Sequence, residues 1–340
     1  MQSLEGTTIQ LGHGGGGRLS QQLLRELLVP AFGPGDGVLH DAALLPPLRG
    51  RPAFTTDSYV VRPLIFPGGD IGRLAVCGSV NDLAMAGATP VALSLALILE
   101  EGLPLATLAA VVDSIRTAAA ECGVAVVTGD TKVVERGKGD GLFINTSAIG
   151  QVDHGLTIHP SAVRPGDAVL VSGDLGRHGV AILAAREELG FRTTLRSDLA
   201  PLLEPVQALL AAGLELHCLR DLTRGGLASA IDEIARGAGC RIQLEESAIP
   251  LEPAVAGACQ LLGLDPLAMA NEGRMAVLLP EAQADAALAV LRRYQPQACR
   301  IGSVVDPAGP GEPHPVRVRS QLGVLRPLDI SQGEQLPRIC

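Results

Sequence analysis

Tryptophan is absent from this 340-residue chain, and aromatic residues of every kind make up only 2% of it. A core cannot then be organised around rings. It has to be assembled from Leu, Val, Ala and Ile, and the hydrophobic content of 47% supplies them. No apolar stretch reaches the ~18 residues of a membrane span, and residues 1–12 lack the basic and apolar regions of a secretory leader. A cytoplasmic protein with no membrane partner is expected. Lys and Arg are nowhere clustered, the net charge is -9, and the pI lies near 5.3. This excludes nucleic acid as the main partner, because phosphate contacts need gathered cations. No CxxC pair occurs. The 7 cysteines, Cys77, Cys122, Cys218, Cys240, Cys259, Cys299 and Cys340, are odd in number and suit neither a disulfide framework nor a zinc site. The six internal ones read as small buried hydrophobes.

What is present is an alternation of helix and strand patterns in a chain long enough for two cores. The first half predicts strands over 53–61, 91–99, 124–127 and 143–152, with helices over 70–88 and 104–122. A turn-rich joint at 161–167 marks a domain boundary. Beyond it the pattern predicts strands over 168–172, 242–244 and 275–279. Helices are predicted over 179–189, 201–212, 226–237, 252–262 and 281–294. The segment 305–316 reads as a Pro/Gly loop. The division expected is a flexible Gly-rich segment 1–40, a first domain 41–163, a second domain 164–325 and a mobile tail 326–340.

That tail ends in a thiol, Cys340. Ten extended residues span about 33 Å, enough to carry a sulfur into a distant pocket. Position alone does not separate a swinging thiol from a frayed end that finishes in Cys. It does exclude prenylation, which needs Cys fourth from the end, where Pro337 stands.

Four acidic residues sit at turns and strand ends beside glycine or hydroxyl residues: Asp57 in TTDS, Asp82 in VNDLA, Asp130 in TGDTK and Asp221 in RDLTRGG. Asp82 interrupts an apolar helix, where a bare carboxylate is costly. Capping and turn chemistry can explain Asp57 and Asp130 singly. Carboxylates gathered in one cleft raise each other's pKa unless a cation intervenes, and Mg²⁺ bridging to phosphate is the usual solution. The run Gly14–Gly17 with Arg18 is flexible enough to fold over a polyphosphate, although no GxxxxGK[ST] loop occurs. Arg224-Gly225-Gly226 opens a predicted helix, where either anion binding or helix packing accounts for the glycines. Lys132 follows Asp130 after a predicted buried strand, and Glu272 precedes another. Each is equally compatible with a solvated surface.

The strings FTTDSYVVRPLIFPGGDIGRLAVCGSVNDLAMAGATP (54–90), VTGDTKVVERGKGDGLFINTSAIG (127–150), RDLTRGGLA (220–228), DPLAMANEG (265–273) and GEQLPRIC (333–340) resemble the HypE family of hydrogenase maturation factors. The resemblance runs from about His13 to Cys340, and the tail is its most specific element. Weaker forms of the other motifs occur in aminoimidazole ribonucleotide synthetase, selenophosphate synthetase and thiamine-monophosphate kinase.

The resemblance implies an α+β, two-domain PurM-like fold, with an N-terminal ATP-binding domain, a C-terminal α+β domain and a homodimer around a shared β-barrel. It implies that the carbamoyltransferase HypF loads a carbamoyl group onto Cys340. The protein then dehydrates it with ATP to a thiocyanate, and the cyanide passes to iron on a HypC–HypD complex. By the same carry-over, Asp57, Asp82, Asp221 and Asp41 hold Mg²⁺, while Thr128, Asp130, Asn81, Gly15 and Gly16 lie at the nucleotide together with Asp57. Lys132 neutralises phosphate, Arg224 assists, and Glu272 takes the nitrogen protons as phosphate leaves. Two rivals stand beside this reading: another ATP-dependent synthetase or kinase of the superfamily, and a non-enzymatic ATP-gated assembly scaffold that tolerates Cys340→Ala.

Overall fold

The computed structural model describes residues 8–33, 40–186, 193–309, 311–328, 330 and 338–340. The chain opens with a 3₁₀ turn (Leu11–Gly14), α1 (Arg18–Leu23), a π-helical segment (Leu24–Leu28) and α2 (Val29–Phe32). There follow β1 (Arg51–Tyr59), β2 (Ile65–Phe66), β3 (Gly69–Asp70), α3 (Ile71–Met85), β4 (Thr89–Glu100), α4 (Leu105–Glu121), β5 (Ala125–Val134) and β6 (Leu142–Val152). The first sheet has the order β1-β6-β4-β5. β4 and β5 run parallel and the other pairs antiparallel. β6 alternates buried and half-buried along its whole length, the signature of a strand with one face on the core.

The second unit contains β7 (Asp167–Val171), α5 (Arg177–Ala185), α6 (Leu203–Ala211), β8 (Cys218–Asp221), α7 (Gly226–Ala238), β9 (Cys240–Glu245), α8 (Pro253–Leu262), β10 (Met275–Pro280), α9 (Ala284–Leu291), β11 (Cys299–Pro307), β12 (Val316–Arg319) and β13 (Leu325–Pro327). Its seven-stranded sheet runs β13-β12-β9-β11-β7-β10-β8. β7 is buried at every position because helices and strands cover both its faces.

The helix α3 joins the two units. Asp70 caps it by accepting from the Gly72 and Arg73 amides. It packs on β1, β6 and α4 of the first unit and on α6 and β8 of the second. That double coverage explains why it is buried almost all round.

Several expectations change here. Residues 8–33 are not a flexible segment: Ile9, Leu23 and Leu28 are buried in the first unit's core. The expected short buried strand at 124–127 is the start of the ten-residue β5. It runs on through Asp130 and Lys132 as an exposed edge, because Val126 and Val133 pack inward while the polar residues between them face out. The loop expected at 305–316 is partly strand, since β11 extends to Pro307. At the other end, Ile339 is only 2% exposed and joins the first unit's core, so the described end of the tail is docked. Residues 331–337, including Pro337, lie outside the described residues, as do 1–7 and 34–39.

Packing accounts for Gly226. Its φ is +57°, and a Cβ there would come within 2.5 Å of the Met269 carbonyl oxygen. Gly226→Ala should therefore lower stability by about 2 kcal/mol or more, read as a shifted urea midpoint. An unchanged midpoint would refute this account of the glycine.

Candidate active site

Four carboxyl groups meet where the two units join. Asp57 is on β1, Asp82 on the last turns of α3, Asp221 at the end of β8, and Glu272 just before β10. β8 and β10 pair antiparallel with Asp221 opposite Met275, which brings Asp221 beside the loop carrying Glu272. α3 packs against both β1 and β8, so Asp82 comes between them. The Thr55 hydroxyl donates to Asp82 Oδ2 at 2.6 Å, and Asp57 Oδ1 accepts from the Ser58 amide at 2.8 Å.

The group is electrostatically strained. Burial, then the charge of Asp82, pushes Asp221 up to about 7. Burial likewise raises Asp82, against the Thr55 hydrogen bond. Glu272 stands well above the usual carboxylate range because it is fully buried, with Asp221, Asp198, Asp57 and Asp82 adding repulsion. Tyr59 is raised by burial and then by Asp57. Arg220, which pairs with Glu233, is the cation that opposes the shifts of Asp82 and Asp221.

Among the described residues Glu272 Oε1 is buried with no hydrogen-bonding partner, while its backbone is fixed on every side. The Asn81 side-chain amide donates to the Glu272 and Ala200 carbonyls, and its oxygen accepts from the Leu202 amide. Asp198 Oδ2 accepts from the Glu272 and Gly273 amides at 3.1 and 2.9 Å. Asn271 bonds Gly176, Leu222 and Met269. Arg274 pairs with Asp174 at 2.7 Å. Gly273 permits the closeness, since a Cβ there would stand 2.1 Å from the Asp198 carbonyl oxygen.

The tail ends at the same junction. The Val60 amide donates to the Cys340 carbonyl at 3.0 Å, one residue beyond Tyr59. Arg338 donates to the Val60 carbonyl, lies over the Phe143 ring at 5.8 Å and pairs with Asp140. His178 Nε2 meets the Ile339 carbonyl at 2.8 Å.

Other expected site residues stand elsewhere. Asn81 is 2% exposed and its amide is taken up by backbone groups, so in this structure it acts as a strut between the units. Thr128, Asp130 and Lys132 lie on β5, whereas Asp57 lies on β1 at the opposite edge. The register Asp57–Thr146–Leu95–Gly129 puts three strand spacings, roughly 14 Å, between them. They also project from the open face of the sheet, away from α3. Lys132 grips both Asp130 oxygens at 2.7 Å and holds that carboxyl below its ordinary value. Gly15 and Gly16 form the turn into α1, and neighbouring Gly14 packs against Val133 of β5. Asp41 is exposed, and none of the interactions joining the four carboxyl groups involves it. Arg224 is exposed in the turn before α7. A cavity of about 260 Å³ between the units, lined by Glu121, Ser172, Arg274 and Tyr294, includes none of the four.

Among the described residues, no three His, Cys, Asp or Glu side chains form a ready metal cage. The raised Asp82 and Asp221 nevertheless suit a hard cation held by one or two carboxylates, with water and phosphate oxygens completing its shell. Their mutual repulsion is what such a charge would relieve.

Comparison with known proteins shows the family to which the chain belongs. The chain matches the AIR synthase related protein family, its N-terminal domain over residues 39–152 and its C-terminal domain over residues 164–311. It is 49% identical over 339 residues to carbamoyl dehydratase HypE of Cupriavidus necator, covering 98% of this chain and 95% of that protein. A crystal structure of the hydrogenase maturation protein HypE in complex with ATP superposes with a TM-score of 0.92 at 46% identity, covering 98% of this chain and 100% of that one. A HypE–HypF complex structure matches with a TM-score of 0.78 at 42% identity, covering 90% and 99%.

The raised Asp221 fixes the sign of a pH effect. Unfolded Asp titrates near 3.9, so as pH climbs from about 4 to 7 the unfolded chain loses a proton that the folded one keeps. This contribution to stability is therefore full below pH ~4, is lost as pH rises through about 7, and is flat above. Asp221→Asn should raise the melting temperature of nucleotide-free protein by a few degrees at about pH 8 and barely at about pH 4. An equal gain at both pH values would rule out charge as the cause.

Proposed function

The chain belongs to the HypE family of carbamoyl dehydratases, and on that premise we propose that it dehydrates a carboxamide carried on its own Cys340. ATP drives the reaction, and the product is a thiocyanate that supplies the cyanide ligand for the iron of nickel–iron hydrogenase. The docked tail carries this reading. Cys340 is anchored by the Val60 amide next to Tyr59, whose hydroxyl feels the charges of Asp57, Glu272 and Asp82.

The chemistry needs these groups. An amide oxygen leaves poorly, so it first attacks the γ-phosphorus of ATP, and ADP departs. One N–H proton is lost as the C=N bond forms. The C–O bond then breaks with phosphate as leaving group, while the second nitrogen proton is removed, giving S–C≡N. Glu272 is the base we assign to the nitrogen protons. Its Oε1, unpartnered among the described residues, can accept one, and the burial and repulsion that raise its pKa make its carboxylate a stronger base.

Asp57, Asp82 and Asp221 are the residues we assign to Mg²⁺, which supplies charge neutralisation for phosphoryl transfer. The division into a nucleotide-binding unit 41–163, a second unit 164–325 and a substrate arm 326–340 is part of the same proposal. So is a homodimer that covers the open face of the first sheet, where Phe54, Ile98 and Val127 are exposed at 68%, 39% and 37%. We keep Lys132 in the phosphate-neutralising role only within that dimer. Within one chain it faces away from the carboxyl group. HypF is the partner we propose for loading Cys340, and the HypC–HypD complex for receiving cyanide. The setting is cytoplasmic, in keeping with the absence, among the described residues, of any helix long and apolar enough to cross a membrane.

Mass spectrometry of the C-terminal peptide tests this, after incubation with a HypF carbamoyltransferase and carbamoyl phosphate. A carbamoyl adduct on Cys340 should appear and should lose one water only when ATP is added. Glu272→Gln should keep the adduct and slow its dehydration on the order of 10²–10⁴-fold. No adduct on Cys340 sinks the function, and full-rate dehydration by Glu272→Gln sinks the base assignment alone.

A further inference from the structure

One carboxylate outside the four-acid group is linked to both halves of the reaction. Asp198 has a fully buried side chain, in the segment that crosses from the second unit to the first. Its Oδ2 accepts from the amides of Glu272 and Gly273. Its Oδ1 accepts from the amide of His178 at 3.1 Å, at the start of α5. His178 in turn holds the tail. Its ring is fully buried, Nδ1 lies 2.8 Å from the Ser197 hydroxyl, and Nε2 lies 2.8 Å from the Ile339 carbonyl.

Burial lowers the imidazole's pKa and keeps it neutral. The Ile339 carbonyl can only accept, so Nε2 carries the hydrogen and Nδ1 accepts from Ser197. The Phe66 ring stands edge-on at 5.5 Å and closes the imidazole in. The Ser197 amide donates to Pro67 at 2.8 Å and fixes the segment on the first unit. The residue bonded to the substrate-bearing Cys340 is thus tied, through one imidazole and one carboxylate, to the backbone of Glu272.

We propose that Asp198 is a positioning residue of the dehydration, setting through His178 and the Glu272–Gly273 amides the register between the docked tail and the Glu272 carboxyl. It touches neither the tail nor the reacting atoms and acts through the groups it holds. The inference rests on the reading that Glu272 serves chemistry on Cys340. Its two arms hold the two reacting partners to one rigid point, and a displacement of about 1 Å in such a pair costs on the order of 10²-fold in rate.

Asp198→Asn separates positioning from mere structure. An amide keeps one acceptor, but its NH₂ must face either the His178 N–H or the Glu272 and Gly273 N–H pair, donor against donor. The full-length variant should bind ATP with unchanged affinity, while single-turnover dehydration of carbamoylated Cys340 slows by at least ~10-fold. In the unloaded protein, Cys340 should be alkylated several-fold faster by iodoacetamide, read on the C-terminal peptide, as the tail is released. His178→Gln, which retains an N–H donor, should keep slow alkylation, whereas His178→Leu should speed it. This pair tests the tail arm even if Asp198→Asn does not fold.

Parent-like dehydration and alkylation in Asp198→Asn would overturn the proposal. So would a rate loss matched by an equal loss of ATP binding, or equal alkylation in the two His178 variants. Failure of the parent itself to dehydrate carbamoylated Cys340 would instead remove the functional reading, and the alkylation comparison would still decide whether Asp198 and His178 hold the tail.

Discussion

Glu272 is a carboxyl group buried without a partner, among the described residues, for one of its oxygens, and the architecture around it tolerates that. An unsatisfied buried acceptor costs about 1–3 kcal/mol, and other carboxyl groups close by add repulsion. A flexible loop would relax by turning the side chain to water. Here it cannot, because Asn81 from the first unit and Asp198 from the crossing segment hold the Glu272 backbone, and Asn271 beside it holds the Met269 carbonyl. The satisfied peptide groups hold the unsatisfied side chain in place. A junction between two units suits this purpose, since each contributes clamps that neither could supply alone.

The separation of the two faces of the first sheet follows from strand geometry. Alternate side chains point to opposite faces, so Asp57 looks toward α3 while Asp130 and Lys132, at the other edge, look outward. A sequence motif shows that these residues are polar and close to glycine. It does not show which parity of the strand they occupy. That depends on the irregularity in β4–β5 pairing between Leu93 and Ser94, and a one-residue shift there moves every later side chain to the other face.

α4 and β6 stand within a few residues of their expected bounds because their apolar spacing is itself the packing signal, while α3 is legible as a long apolar run that is buried almost all round. Asp82 stands out because a carboxylate inside an apolar helix is costly unless used; Asp57 and Asp221 join it as acids at turns and strand ends, and Glu272 is marked only by the family resemblance. Asp198 and His178 gave no such signal. They lie in a Ser/Asp/Arg-rich crossing segment and at a helix start, and their meaning depends on contacts with residues 74 and 161 positions away. Asn81 is the opposite case: its place beside Asp82 suggests ligand chemistry, whereas in the fold its amide serves three backbone groups. The N-terminal helices were hidden by the glycine run that precedes them.

Under the proposed function, the tail must dock firmly enough to present Cys340 and loosely enough to release it for loading. Among the described residues its apolar anchor is Ile339, whose burial contributes about 2 kcal/mol. Its polar anchors are the hydrogen bonds made with Val60, Arg62, His178 and Arg186, the Arg338–Asp140 ion pair and the Arg338 guanidinium over the Phe143 ring. Against these stand the entropy of ordering the segment, about 1–2 kcal/mol per residue, and the left-handed φ of +56° at Arg338. One isoleucine and a set of polar contacts that water can replace make a modest hold. Such a composition suits an arm that has to come and go.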